Sequence, residues 1–195
     1  MARVGLSKPY FAIYSNNNGT ISYSGGMKLG KAVETDISPE DDGGVKFFAD
    51  NGQAESANVF TTGTLTLSTD SISAAVAAAI YGLTTEESTT PSGGTIIKYL
   101  AGAIAPYVGV GLIVKNIIGG IQSYQGIILR KCQFNKGALS QATQGETIEF
   151  TAPELTAAIM RDDQPDELSE WKREGYYSTE ADAEAWIKAE LNITP

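Results

Sequence analysis

The 195-residue chain contains no histidine. That absence removes Ser-His-Asp and Cys-His nucleophilic catalysis, imidazole metal ligands and the usual general base near neutral pH. A single cysteine, Cys132, excludes an intramolecular disulfide framework and any CxxC metal or redox pair. It reads as a small apolar strand residue, compatible with synthesis in a reducing cytosol. The amino-terminal MARVGLSKPYFAIY lacks the apolar core of a secretory signal. The uncharged apolar run YLAGAIAPYVGVGLIV between Lys98 and Lys115 is shorter than the roughly 20 residues of a spanning helix. Pro106 and several glycines interrupt it, so it reads as sheet. No GxxxxGKS/T loop is present, and Gly109-Val110-Gly111 has Val114 where a dinucleotide turn needs its third glycine.

Acidic residues are missing from two long stretches, and their distribution says more than the net charge of −9, which argues against a general phosphate-neutralising nucleic-acid binder. Before Glu34 stand Arg3, Lys8, Lys28 and Lys31 with no acid, and from Ser88 to Gly145 stand Lys98, Lys115, Arg130, Lys131 and Lys136, again with none. The acids gather between Glu34 and Phe60 (Glu34, Asp36, Glu40, Asp41, Asp42, Asp50 and Glu55 against Lys46) and after Met160, where ten acids face four bases. Such segregation arises neutrally on solvated surfaces, or it marks head-to-tail association in which a basic body meets a neighbour's acidic arm or tail. Lys28, Lys31, Lys115, Arg130 and Lys131 are then the candidate basic counter-surface.

A chain of this length builds one ordinary domain that buries roughly two-thirds of its unfolded surface, plus appendages. Tyr10–Ser15, the turn signal Asn16–Gly19 and Thr20–Tyr23 predict an opening hairpin. Met27–Ile37 then runs out into the stretch from Glu34 to Phe60, too long and polar for a usual connection of about four to six residues. Pro39 and Asp42-Gly43-Gly44 are expected to break strand pairing there. Val45–Ala49 reads as a short strand at the tip of this arm or as its return leg. The apolar Val45, Phe47 and Phe48, flanked by Asp36, Glu40, Asp41, Asp42 and Asp50, make the arm a candidate subunit interface, with the aromatics as anchors.

Val59–Thr69 alternates as a strand with Leu65 and Leu67 on one face, and Asp70 or Ser71 is placed to cap a helix carrying Ile72, Val76 and Ile80, ended by Gly82. Glu86–Gly94 reads as a loop. Three sheet segments follow, Thr95–Ala101, Tyr107–Ile118 and, after Gly119-Gly120, the central Ile121–Phe134. Glu146–Ala152 predicts a strand with Ile148 and Phe150 inward, and Pro153 a bend before Leu155–Met160. Residues 1–160 thus form a β domain. Residues 161–195 form an acidic extension whose last helix, capped by Ser178 or Thr179, lines up Trp186, Ile187 and Leu191 to dock on its own domain or on a neighbour. The acids Asp36, Glu40, Asp41 and Asp42 lack EF-hand spacing, so a solvated acidic loop is the better reading than calcium binding. With no convergent acid pair located, an enzyme is not expected.

The order AVETDISPEDDGGVKFFADN, VFTTGTLTLSTDSISAAVAAAIYG, a glycine-punctuated sheet and a C-terminal amphipathic helix resembles the major tail proteins (tail tube proteins) of long, non-contractile-tailed bacteriophages. The resemblance covers most of the chain. It implies a mainly β (α+β), β-sandwich- or barrel-like fold with one flanking helix, a long extended arm loop and a C-terminal helix. It further implies hexameric rings stacked into a tube, a conduit for double-stranded DNA that passes without specific binding. Partners would be other copies of the chain and the tape-measure, distal tail and tail-terminator proteins. No cofactor, metal or membrane is involved, and the protein would reside in the virion tail after synthesis in the host cytoplasm. An acid-free segment from Ser88 to Gly145 departs from the negative lumen of such tubes if its strands face the pore. The alternative from another class is a monomeric β-sandwich binding module, carbohydrate-binding or adhesin-like, with an exposed aromatic platform.

Overall fold

A computed structural model describes residues 2–41, 45–49, 52–57, 59–136, 152–165 and 167–194. The protein is mainly β with two helices, and its centre is one large antiparallel sheet. Strands β1 (Ala2–Asn17) and β2 (Thr20–Lys28) form the expected hairpin. Asn18 and Gly19 take positive φ of 50° and 84°, the backbone of a tight two-residue hairpin turn, and the Asn16 side chain accepts a bond from the Gly19 amide.

Strand β3 (Ala32–Asp41) pairs antiparallel with β6 (Phe60–Thr69) along its length. The first part of the arm is therefore an edge strand of the main sheet, not a free connection. Pro39 sits in register opposite Gly63 and does not break the pairing, which corrects the expectation. A proline is tolerated on an edge strand because its missing N–H can lie on the unpaired side, and Gly63 lets the backbones close up, since a Cβ there would lie 3.0 Å from the Ser38 carbonyl oxygen. Beyond this pair, β4 (Val45–Ala49) and β5 (Gly52–Ala57) make a separate two-stranded ribbon, the tip of the arm.

Helix α1 (Ala74–Tyr81) is capped by Ser73, whose side chain accepts from the Val76 amide, and not by Asp70 or Ser71. The Asp70 carboxylate is already engaged, accepting from the Lys31 backbone N–H at 2.8 Å. Gly82 ends the helix in the left-handed conformation, φ 63°, where a side chain would meet the Ile104 carbonyl. The expected loop after it is instead a second small hairpin, β7 (Thr84–Thr89) with β8 (Ser92–Lys98). Then come β9 (Tyr107–Ile118), the Gly119-Gly120 turn and β10 (Ile121–Phe134), with the anticipated bounds. The strand expected at 146–152 lies outside the described residues, except that Ala152 itself falls in no strand. Strands β11 (Glu154–Met160) and β12 (Lys172–Tyr177) and helix α2 (Glu180–Glu190) complete the chain.

The sheet order is β2-β1-β9-β10-β11-β6-β3. The long β10 serves two partners on one side, β12 along Tyr124–Leu129 and β11 along Lys131–Phe134. One face carries Val108, Val110, Leu112, Leu129 and Cys132 into a core shared with Phe11, Leu65, Leu67, Leu155, Ile159 and the α1 residues Val76 and Ile80. Because β1 and β6 lie toward opposite ends of the sheet yet meet in this core, the sheet curls around it. On the opposite face Tyr10, Ala12, Ile113 and Ile128 receive Ala183, Ile187 and Leu191 of α2.

Candidate interaction surfaces

Helix α2 is held by shape and by charge. Its N-terminus is capped by Thr179, which accepts from the Asp182 amide, with Glu180 and Asp182 in the first turn. Its apolar side enters a trough of glycines. A Cβ at Gly111 would lie 2.4 Å from Ile187 Cγ2, one at Gly109 2.8 Å from Leu191 Cδ2, and one at Gly126 2.8 Å from the Trp186 ring. Trp186, Ile187 and Leu191 are thus docked on their own sheet, and Ile187 and Leu191 are fully buried. Of the two docking surfaces left open by the sequence, the structure takes the intramolecular one.

The same segment supplies acids to the basic body. Arg130 is buried, and its guanidinium faces Asp162 at 3.4 Å, Glu190 at 3.5 Å and Glu170 at 3.8 Å. Arg173 closes this group with bonds of 2.8 Å to both Glu170 and Glu190. Lys131 reaches Asp163 at 2.6 Å and lies over the Tyr107 ring, and its hydrogen bond holds the Asp163 carboxyl below the usual carboxylate range. At the other end of the helix Lys188 (2.8 Å), Lys8 (2.5 Å) and the Tyr10 hydroxyl (2.7 Å) converge on Glu184, whose carboxyl falls to about 2. The hydrogen bond to Glu184 in turn raises Lys8 above its ordinary value.

Arg130 and Lys131 are therefore not a counter-surface for a neighbour. Their acidic partners come from the tail of the same chain, which corrects that part of the head-to-tail expectation. The acids Asp162, Asp163, Glu170, Glu184 and Glu190 were visible in sequence only as members of an acidic tail. What remains outward is smaller. Lys28 and Lys31 are exposed, Lys31 with only a loose 3.9 Å approach to Asp70, and Lys115 is half-buried.

Asp36, Glu40 and Asp41 are exposed on β3, with Ser38 donating to Asp36 at 2.6 Å. Val45, Phe47 and Phe48 lie on β4 of the tip ribbon, and Asp42 and Asp50 lie outside the described residues. Among the described residues, no group of acids gathers in a way that could hold a metal ion. At the root of the arm Phe60 stacks on Trp171, rings 4.4 Å apart, beside a cleft of about 270 Å³ lined by Val59, Phe60, Thr61 and Arg161.

Two strands end the main sheet, and they differ in charge. Strand β2 carries Lys28 and no acid, whereas β3 carries Glu34, Asp36, Glu40 and Asp41 and no base, and Lys31, just before β3, is bonded through its backbone to Asp70 just past the end of β6. Each pairs with one strand only among the described elements. Such edges are templates for another strand, and opposite charge makes the two complementary. Searches with protein-family models and against curated proteins return no match for this chain.

Proposed function

We propose that the chain is a self-assembling structural subunit, joined head-to-tail through its two sheet edges, and that its assembly is a phage tail tube. The observation that supports association is that the two strands ending the sheet order are each paired on one side only, β2 with Lys28 and no acid and β3 with four acids and no base. Unlike edges generate heterologous contacts, which close into rings when the rotation permits. The β4–β5 ribbon, a sheet of its own that carries the Val45-Phe47-Phe48 sequence on β4, is on this reading the contact with a further copy, in the ring or in the stack. The tail-tube assignment rests on the ordered motifs of the sequence, and the curled antiparallel sheet with its flanking helix is compatible with it.

The acid-free strands do not oppose this reading. The central parts of β9 and β10, Val108–Val114 and Gln125–Cys132, are buried between the α1 side core and α2, so those side chains are not available to a pore, while Tyr107 and Ile121 at the strand ends are exposed. A second reading, a monomeric binding module, has one observation in its favour: Tyr99 and Tyr107 are exposed near one another in sequence at the β8–β9 connection. Negative-stain imaging of purified protein separates the two. Rings or tubes are expected for the wild type, with stacking lost in a Phe47→Ala, Phe48→Ala variant. A monodisperse monomer with affinity for a glycan supports the binding module instead.

A further inference from the structure

The C-terminal end of α2 touches one of the two open edges. Asn17 and Thr20 flank the two-residue turn as a hydrogen-bonded pair, so bonding alternates along the ladder. Ser22 and Ser24 bond across to Ser15 and Ile13, while Ile21 and Tyr23 turn their N–H and C=O groups outward. One of those outward groups is occupied. Asn192 Nδ2 donates to the Tyr23 carbonyl at 3.0 Å.

Asn192 stands just past α2 with φ 50°. Its backbone N–H bonds the Ala189 carbonyl at 3.2 Å, and the Ile193 N–H bonds the Lys188 carbonyl at 2.8 Å. This pair of bonds is the Schellman closure, in which glycine usually takes the left-handed position and asparagine is the less common choice. Ile193 then lies on β2 over Gly26, where a Cβ would sit 2.3 Å from Ile193 Cγ1. Glycine at 192 would end the helix equally well. It would lack the amide that reaches Tyr23.

We infer that Asn192 guards the β2 edge, its side-chain amide standing where an N–H of an added strand would bond, and so restrains pairing of β2 with the acidic β3 edge of a second copy. This rests on the head-to-tail reading, and the occupant follows from charge, since Lys28 lies on the guarded edge, which carries no acid, and Glu34, Asp36, Glu40 and Asp41 lie on the incoming one. An arriving strand displaces one side-chain hydrogen bond before it pairs, a restraint of about fivefold in association for a bond of ordinary net strength.

The test is Asn192→Gly in the full chain, followed by sedimentation velocity over a concentration series. Glycine keeps the left-handed cap, so a purely capping residue leaves association unchanged. The guard predicts association at about fivefold lower concentration, while the Tm of the unassociated chain falls by the loss of the same hydrogen bond, offset in part by the ease of glycine in the left-handed position. Adding Ile21→Pro removes an outward N–H that the β1 ladder does not use, and it is expected to abolish the gain. Association of Asn192→Gly equal to wild type, or a gain that survives Ile21→Pro, overturns the guard. If wild type assembles normally alongside that result, the head-to-tail reading stands without it. If neither wild type nor any variant associates, both are overturned.

Discussion

A single methyl group added at Gly111 tests how α2 is seated. In Gly111→Ala the new Cβ would lie 2.4 Å from Ile187 Cγ2 and 3.2 Å from Leu191 Cδ1, both on fully buried side chains. Ile187 is β-branched and stiff about χ1, so the clash resolves only by lifting the helix or shifting the strand. Overpacking of this kind costs about 1–3 kcal/mol, against a gain of about 0.5–1 kcal/mol for replacing glycine in a strand, which leaves a net loss of about 1–2 kcal/mol. Urea unfolding followed by circular dichroism reads this as a lower midpoint at constant slope. Gly102→Ala is the control, since nothing lies within 4 Å of its Cβ position. Ile187→Ala alone costs about 2–5 kcal/mol, but in the Gly111→Ala background the new methyl fills part of the space left behind, and the two losses fall short of their sum by about 1 kcal/mol. A neutral Gly111→Ala, or strict additivity of the pair, would refute the glycine-trough account.

The charged contacts of the same segment give two further expectations. Glu184 titrates near 2 in the fold and near its ordinary value of about 4.3 when unfolded, so on acidification the unfolded chain takes up the proton first. Its contribution is complete above about pH 5 and is lost as the pH falls toward 2; after screening by solvent it amounts to about 1–2 kcal/mol, and Glu184→Gln flattens that part of a stability–pH profile. Arg130→Leu leaves the buried Asp162 carboxylate without its guanidinium and is expected to cost about 3–5 kcal/mol in thermal or denaturant unfolding. A loss under about 1 kcal/mol would place that ion group outside the elements that hold the tail.

The parts of the fold legible in sequence are those where one residue pattern has one structural solution. Val108 to Val114 alternate with Gly109 and Gly111, and Gly119-Gly120 fits only a turn, so β9 and β10 emerge with their observed bounds. Leu65 and Leu67 likewise point inward as their alternation requires. Most of strand β7 and the start of β8 fall in the stretch Glu86–Gly94 expected as a loop, because TTEEST and SGG are largely exposed and carry no apolar alternation. The second half of β8 lies within the expected Thr95–Ala101 segment and ends at Lys98 instead of Ala101. Strand β12, KREGYY, was missed because its charges engage Glu170, Glu174 and Glu190 beside β10. The α1 cap was misplaced because Asp70, Ser71 and Ser73 are all capable caps, and the tertiary bond from Lys31 to Asp70 decides among them. Charge segregation was visible, but a sequence does not reveal whether distant opposite charges meet within one chain. Here Arg130 and Lys131 meet the tail of their own chain, while Lys28, Lys31 and the β3 acids remain outward.

Complementation by charge reversal tests the central claim, edge-to-edge association, most directly. One variant carries Lys28→Glu, making both edges acidic, and a second carries Glu34→Lys, Asp36→Lys and Glu40→Lys, leaving three bases against Asp41 and making the β3 edge predominantly basic like β2. Imaged separately by negative stain, each is predicted to remain unassembled under conditions where wild type forms rings or tubes. Mixed in equal amounts, they are predicted to assemble with alternating subunits. Assembly of either variant alone at the wild-type level, or a mixture as inert as its components, would contradict the account.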